Sequence, residues 1–166
     1  MKPIYSKKTI SSLLLALLLC FFMFTSAAIA ATETCDNDLT TTNCSAKYNG
    51  SWTSISSHLF YLNNARILLA NNFVSGDDYE WRIATSATSN TTYTYNVYLN
   101  YGSANATVQY YADNSLLTTL NQDTAPAGWS SLGSIYNDSV TYVRVDADNG
   151  PNSDKNTMAD GIEAKW

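Results

Sequence analysis

The sequence predicts an all-β chain, a jelly-roll-like antiparallel β-sandwich of about seven to eight strands, and three observations carry that reading. Beyond Cys44 the apolar side chains recur every second residue, the period of a strand with one face buried and one wet. The runs are short, and turn signals rich in Gly, Pro, Asn, Asp and Ser sit between them. The one stretch with a helical look, His58 to Asn71, carries an asparagine pair and lacks caps.

That stretch comes first along the chain, with Leu59, Leu62, Ile67, Leu68 and Leu69, and reads equally as a helix or as a strand with a bulge. After the turn Ser75-Gly76-Asp77-Asp78 a strand runs from Tyr79 to Ala84. The clearest strand is Thr92 to Tyr101, where Tyr93, Tyr95, Val97, Leu99 and Tyr101 alternate with Thr94, Asn96, Tyr98 and Asn100. Shorter strands are expected at Ala106 to Ala112, Leu116 to Asn121, Trp129 to Tyr136, Val140 to Asp146 and Met158 to Trp166. Tyr101-Gly102-Ser103, Ala112-Asp113-Asn114-Ser115, Pro126-Ala127-Gly128 and Asn137-Asp138 supply the turns between them. No internal repeat is visible.

Ahead of the strands lies a leader. Lys2, Lys7 and Lys8 precede an apolar run from Leu13 to Phe24, and Ser26, Ala27, Ala28, Ile29 and Ala30 follow it, the pattern of a secretory signal peptide over residues 1–30. The apolar run is about a dozen residues against roughly 20 for a bilayer span. Cleavage after Ala30 is expected, giving a secreted or periplasmic chain with no membrane insertion. Cys20 follows three leucines where a lipoprotein signal would place small residues.

Without the leader, six basic side chains face fourteen acids, a net charge of −8. So acidic a surface repels phosphate backbones and anionic headgroups, which argues against nucleic acid as a partner. Cys35 and Cys44 are the cysteines that remain, and in an oxidising compartment they are expected to pair across eight intervening residues. A zinc site is disfavoured, because two thiolates without a nearby histidine do not complete a tetrahedral shell. Residues 31–47 thus read as a disulfide-closed segment ahead of a sandwich domain over 48–166.

The segments Thr92 to Tyr101, Ala106 to Tyr111, Leu120-Asn121-Gln122, Gly128-Trp129-Ser130-Ser131-Leu132-Gly133 and Met158-Ala159-Asp160-Gly161-Ile162, in that order, resemble the golvesin carboxy-terminal-like domain. The resemblance covers roughly Tyr48 to Trp166. It implies a β-sandwich similar to carbohydrate-binding modules, of the kind found as an accessory domain of secreted bacterial enzymes and surface proteins. Within it Trp129 reads as a framework indole with Leu132 in the adjacent inward position, Gly133 as the site of a bulge, and Asp160 as a carboxylate capping backbone amides. Two departures bear on any inherited ligand site: Gly161 stands where the family usually has alanine, and the loop before the last strand is longer.

That loop, Asp146 to Asn156, concentrates hard oxygen ligands around Gly150-Pro151, with Asp146, Asp148 and Asp154 as candidate calcium ligands and a solvated acidic turn as the plainer alternative. No other cofactor is expected. Eleven tyrosines and four tryptophans follow the leader and invite a saccharide reading, since aromatic faces stack on pyranose C–H surfaces. Tyr93, Tyr95 and Tyr101 read as core; Trp52, Tyr98 and Tyr111 are the expected exposed contacts.

No catalytic residue is read. His58 is the sole histidine, in a segment without an elbow-like Gly-x-Ser-x-Gly, and Asp77, Asp78 and Glu80 offer one glycosidase carboxylate without placing its partner. Three functional classes follow in order: a non-catalytic module for carbohydrate or cell-surface glycan, a structural or adhesive extracellular protein engaging other proteins, and a small polysaccharide hydrolase.

Overall fold

Alternation along Thr91–Leu99 sets the frame of the molecule. Tyr93, Tyr95, Val97 and Leu99 are fully or almost fully buried, while Thr92, Thr94, Asn96 and Tyr98 between them reach the other face. The same parity holds Tyr79, Trp81 and Ile83 inward, and likewise Val108, Tyr110 and Ala112, and Thr141, Val143 and Val145. The computed structural model describes residues 30–87, 90–100, 104, 106–147 and 155–166. Residues 1–29, the bulk of the expected leader, lie outside the described residues, as do Tyr101, Asp148 and Asp154.

Among the described residues twelve strands form, where the sequence marks seven. They are β1 (Thr32–Cys35), β2 (Cys44–Asn49), β3 (Thr53–Ser56), β4 (Asn64–Leu68), β5 (Asp78–Ala84), β6 (Thr91–Leu99), β7 (Thr107–Ala112), β8 (Ser115–Asn121), β9 (Gly128–Asn137), β10 (Val140–Asp146), β11 (Thr157–Ala159) and β12 (Ile162–Lys165). Of the additional ones β1, β3 and β4 have four or five residues, too few for a period to show. His58 to Asn71 resolves into β4 between two 3₁₀ turns, Tyr61–Asn63 and Ala70–Asn72.

All pairings are antiparallel and give three sheets, ordered β1-β12-β6-β9, β2-β5-β10-β7-β8 and β11-β4-β3. The first two turn their apolar faces on a shared core in a sandwich. Tyr95 Oη donates across it to Thr141 Oγ1 at 2.9 Å, and Trp81 Nε1 donates to the Asp160 carbonyl at 3.1 Å. Gln122, buried at the end of β8, joins the third sheet: its Nε2 donates to Met158 O at 2.8 Å and its Oε1 accepts the Met158 amide at 2.9 Å. A buried amide side chain satisfied on both ends orders its surroundings instead of weakening them.

Residues 31–47 do not stand apart, because β1 pairs with β12 and β2 with β5 inside the unit Ala31–Trp166. Cys35 and Cys44 are disulfide-bonded and fully buried, which fixes the loop between those two edge strands. The stretch Met158 to Trp166, expected as one strand, is two. It breaks at Asp160-Gly161, where the chain passes from the third sheet to the four-stranded one. Gly161 is needed there for contact rather than for backbone freedom: a Cβ would lie 2.7 Å from Tyr61 Cδ1. In β9 the pairing with β6 slips between Tyr95 and Asn96, leaving Leu132 as the extra residue and Gly133 at φ +114. Past that bulge odd positions turn inward, so Ile135 packs on the core.

Candidate functional site

The outer face of the five-stranded sheet is built by the residues that alternate with the core residues along each strand. On β10 these are Tyr142 and Arg144, on β5 Asp78, Glu80 and Arg82, and β7 contributes Gln109 and Tyr111. Register sets Tyr142 opposite Arg82 and Arg144 opposite both Glu80 and Tyr111. Lys47 of β2 lies opposite Glu80 and bonds it at 2.9 Å.

Two open depressions share this face. One of about 180 Å³ is lined by Ser45, Ala46, Lys47, Glu80, Arg82 and Tyr142, and one of about 290 Å³ by Lys47, Glu80, Asp113, Asn114 and Tyr142. Tyr142 stands between them, 40 % exposed. Its base is fixed by Asp113, in the β7–β8 hairpin, whose Oδ1 accepts the Tyr142 amide at 3.0 Å while its Oδ2 accepts Asn137 Nδ2. Lys47 Nζ lies 5.9 Å from the centre of the Tyr142 ring, and the Arg144 guanidinium 4.8 Å from that of Tyr111.

Every acid on the face has a partner. Arg144 bridges Asp146 at 3.2 Å and Asp78 at 3.7 Å. Burial raises the Asp78 carboxyl above the usual range, with Arg144 pulling the other way. The hydrogen bond from Lys47 to Glu80 raises the lysine. The arrangement can therefore offer fixed donors and acceptors around an exposed ring.

The side chains expected to touch a ligand are dispersed. Trp52 is a correction: it is buried, 6 % exposed, with its ring edge-on to Tyr79 at 5.2 Å and its Nε1 donating to Asn49 O. The β2–β3 connection folds it inward, which neighbouring residues do not announce. Tyr98 lies half-buried on the outer face of the four-stranded sheet, and Tyr111 on that of the five-stranded one. Trp129, read as a framework indole, is half-buried. It pairs across from Tyr98 on the outer face and packs with it and Tyr61 at 5.3 and 5.2 Å, because a residue three positions from inward Leu132 must face the other way. His58 is exposed.

Of the three side chains expected as calcium ligands, Asp146 is buried at the end of β10 beside Arg144, while Asp148 and Asp154 lie outside the described residues. Sequence reasoning missed Tyr142 and Lys47. Strict alternation along Val140 to Asp146 was the available signal for Tyr142.

Asp160 sits elsewhere, fully buried in the break between β11 and β12, where its Oδ2 accepts the Tyr61 amide at 3.1 Å. Burial pushes its carboxyl up to about 8, and pushes Asp36, in the disulfide loop, up to about 6.

No family model and no curated protein matches the chain. Solved structures do. Over 84 % of its length the chain superposes on 13 % of a Paenibacillus xanthan lyase, at 17 % identity and a TM-score of 0.61. A family 35 carbohydrate-binding module from Clostridium thermocellum matches over 81 % of this chain and 98 % of its own, at 13 % identity and 0.53. An exo-β-1,3-galactanase from Phanerochaete chrysosporium matches over 84 % of this chain and 30 % of its own, at 11 % identity and 0.52. At these identities the likeness is one of fold, and it places the sandwich among those that include a carbohydrate-binding module. The chain spans only a minor part of the two enzymes.

Proposed function

We propose that this chain is an exported, non-catalytic carbohydrate-binding module whose saccharide lies on the outer face of the five-stranded sheet. The observation that carries the reading is Tyr142, an exposed ring held between two depressions whose walls are the hydrogen-bonding side chains Ser45, Lys47, Glu80, Arg82, Asp113 and Asn114. A sugar ring presents C–H surface to an aromatic face and hydroxyls to its rim, so one exposed tyrosine among fixed polar groups suits it. Pairing of Lys47 with Glu80 and of Arg144 with Asp78 and Asp146 leaves little charge to attract a strongly anionic chain, which favours a neutral glycan.

Two observations outside the face support the reading: the near-complete overlap with a carbohydrate-binding module, and the saccharide-directed names of the other structural neighbours. Partnering of each acid on the face suits binding better than proton transfer. Export rests on the lysines and apolar run of residues 1–30. The test is a glycan array, followed by titration of the best saccharide into Tyr142→Ala. Selective binding that weakens about tenfold in the variant, at unchanged melting temperature, is expected. Silence across the array overturns the reading, and polysaccharide cleavage abolished by Glu80→Gln replaces it with a hydrolase.

A further inference from the structure

The two depressions beside Tyr142 are halves of one trough. Ser45, Arg82 and Tyr142 stand side by side on β2, β5 and β10, because Ser45 pairs with Arg82 and Arg82 with Tyr142. The row continues onto the β7–β8 hairpin, where the Asp113 amide donates to Tyr142 O at 2.7 Å and the Asp113 carboxylate accepts the Tyr142 amide. That double tie holds the hairpin tip, with exposed Asn114, against the strand that carries the ring. One depression takes in Ser45 and Arg82, the other Asp113 and Asn114, and the ion-paired Lys47 and Glu80 line both. The trough therefore runs across the strands, with the ion pair along its flank and an exposed tyrosine at its middle. It ends at margins of the sheet on both sides: β2 is an edge strand, and the chain reverses at Asp113-Asn114.

We propose that this trough takes the interior of an extended, unbranched β-1,4-linked neutral glycan, in preference to a single sugar or a chain end; the proposal rests on the saccharide reading of this face. From β2 to the hairpin the trough crosses three strand intervals of about 4.8 Å, about 14 Å in all, which is room for about three pyranose units laid end to end. The central unit stacks on Tyr142. Its neighbours meet the Ser45 hydroxyl and Arg82 guanidinium on one side and the Asn114 amide on the other, donors and acceptors suited to ring hydroxyls. Because both ends lie at margins of the sheet, the chain can continue in either direction. Linkage through equatorial bonds keeps a β-1,4 chain straight, so each unit follows the last across the strands. A coiled α-1,4 chain would leave the face after its central unit.

The experiment is calorimetric titration of the full chain with glucose, cellobiose, cellotriose and cellotetraose, with the matching xylose and mannose series, and with maltotriose as the coiled counterpart. In at least one β-1,4 series affinity should climb about tenfold or more from monosaccharide to trisaccharide and then level off. Borohydride reduction of the tetrasaccharide, which opens its terminal ring and leaves the others intact, should change nothing. Arg82→Ala and Asn114→Ala should each remove most of the gain with length and spare the monosaccharide, while Tyr142→Ala weakens every member. Tyr136→Ala, at a side chain 67 % exposed on the other sheet, should alter none of them. Should Arg82→Ala lower the melting temperature, Asn114→Ala at the exposed tip carries the test. A trisaccharide bound no tighter than its monosaccharide, with Tyr142→Ala weakening both, overturns this proposal and leaves the module reading standing. Maltotriose bound as tightly as the β-1,4 trisaccharides, or binding lost on reduction, overturns it as well. So does silence from all three β-1,4 series, after which the glycan array decides the broader reading.

Discussion

Gly161→Ala isolates one steric contact on which the junction between two sheets depends. A Cβ at that position lies 2.7 Å from Tyr61 Cδ1, 3.0 Å from Cγ and 3.3 Å from Cβ, all short of van der Waals contact. Gly161 is not among the positive-φ glycines, so backbone strain adds nothing and the cost is that of displacing the ring. The ring has little room. It packs on Trp129 at 5.2 Å and Tyr98 at 5.7 Å, its hydroxyl bonds Thr34 Oγ1 at 3.1 Å, and its amide is held by Asp160. Overpacking of this kind costs about 1–3 kcal/mol. With a urea slope of about 1–3 kcal/mol/M, the unfolding midpoint should fall by about 1 M at unchanged slope, read by tryptophan fluorescence. In a Tyr61→Ala background the same substitution should cost almost nothing, a coupling that a double-mutant cycle measures. A wild-type midpoint for Gly161→Ala, or an equal drop in both backgrounds, refutes the reasoning.

Reduction of Cys35–Cys44, or its removal in the double variant Cys35→Ser/Cys44→Ser, should cost about 2–3 kcal/mol by releasing a short loop, seen as a lower melting temperature than that of the oxidised wild type. Trp52→Ala should destabilise by about 3–5 kcal/mol in urea, while saccharide binding by the folded fraction is unchanged, since the indole is core. The buried Asp160 carboxyl, raised from 3.8 to about 8, holds in the native state a proton that the unfolded chain releases. Stability is therefore greatest below about pH 4 as far as this group is concerned, and is lost as pH rises through about 8. That contribution is worth several kcal/mol. Urea midpoints at pH 5, 7 and 9 should decline for the wild type and flatten in Asp160→Asn.

Parity was legible because it is local. In Thr91–Leu99 the chain itself dictates that Tyr93 and Tyr95 share a face which Tyr98 cannot, and no distant residue alters that. Thr53–Ser56 escaped for the same reason: it is a strand because β4 lies beside it, not because of its own pattern. Cys35 and Cys44 could be paired from counting and an expected oxidising compartment.

Which of two faces carries a site depends instead on what other strands lay across it. Trp52, expected as an exposed contact, and Trp129, read as framework, are the two cases. One is enclosed by Tyr79 and the core, and the other is left on the outer face with Tyr98. Lys47, Glu80 and Tyr142 meet only through the register of β2, β5 and β10. The sequence alone determined strand character, the disulfide partners and the inward residues of each long strand, since these follow from the covalent period of an extended chain. Tertiary structure decided where the polar and aromatic groups gather, since proximity between residues far apart along the chain is set by strand pairing, which no single strand encodes.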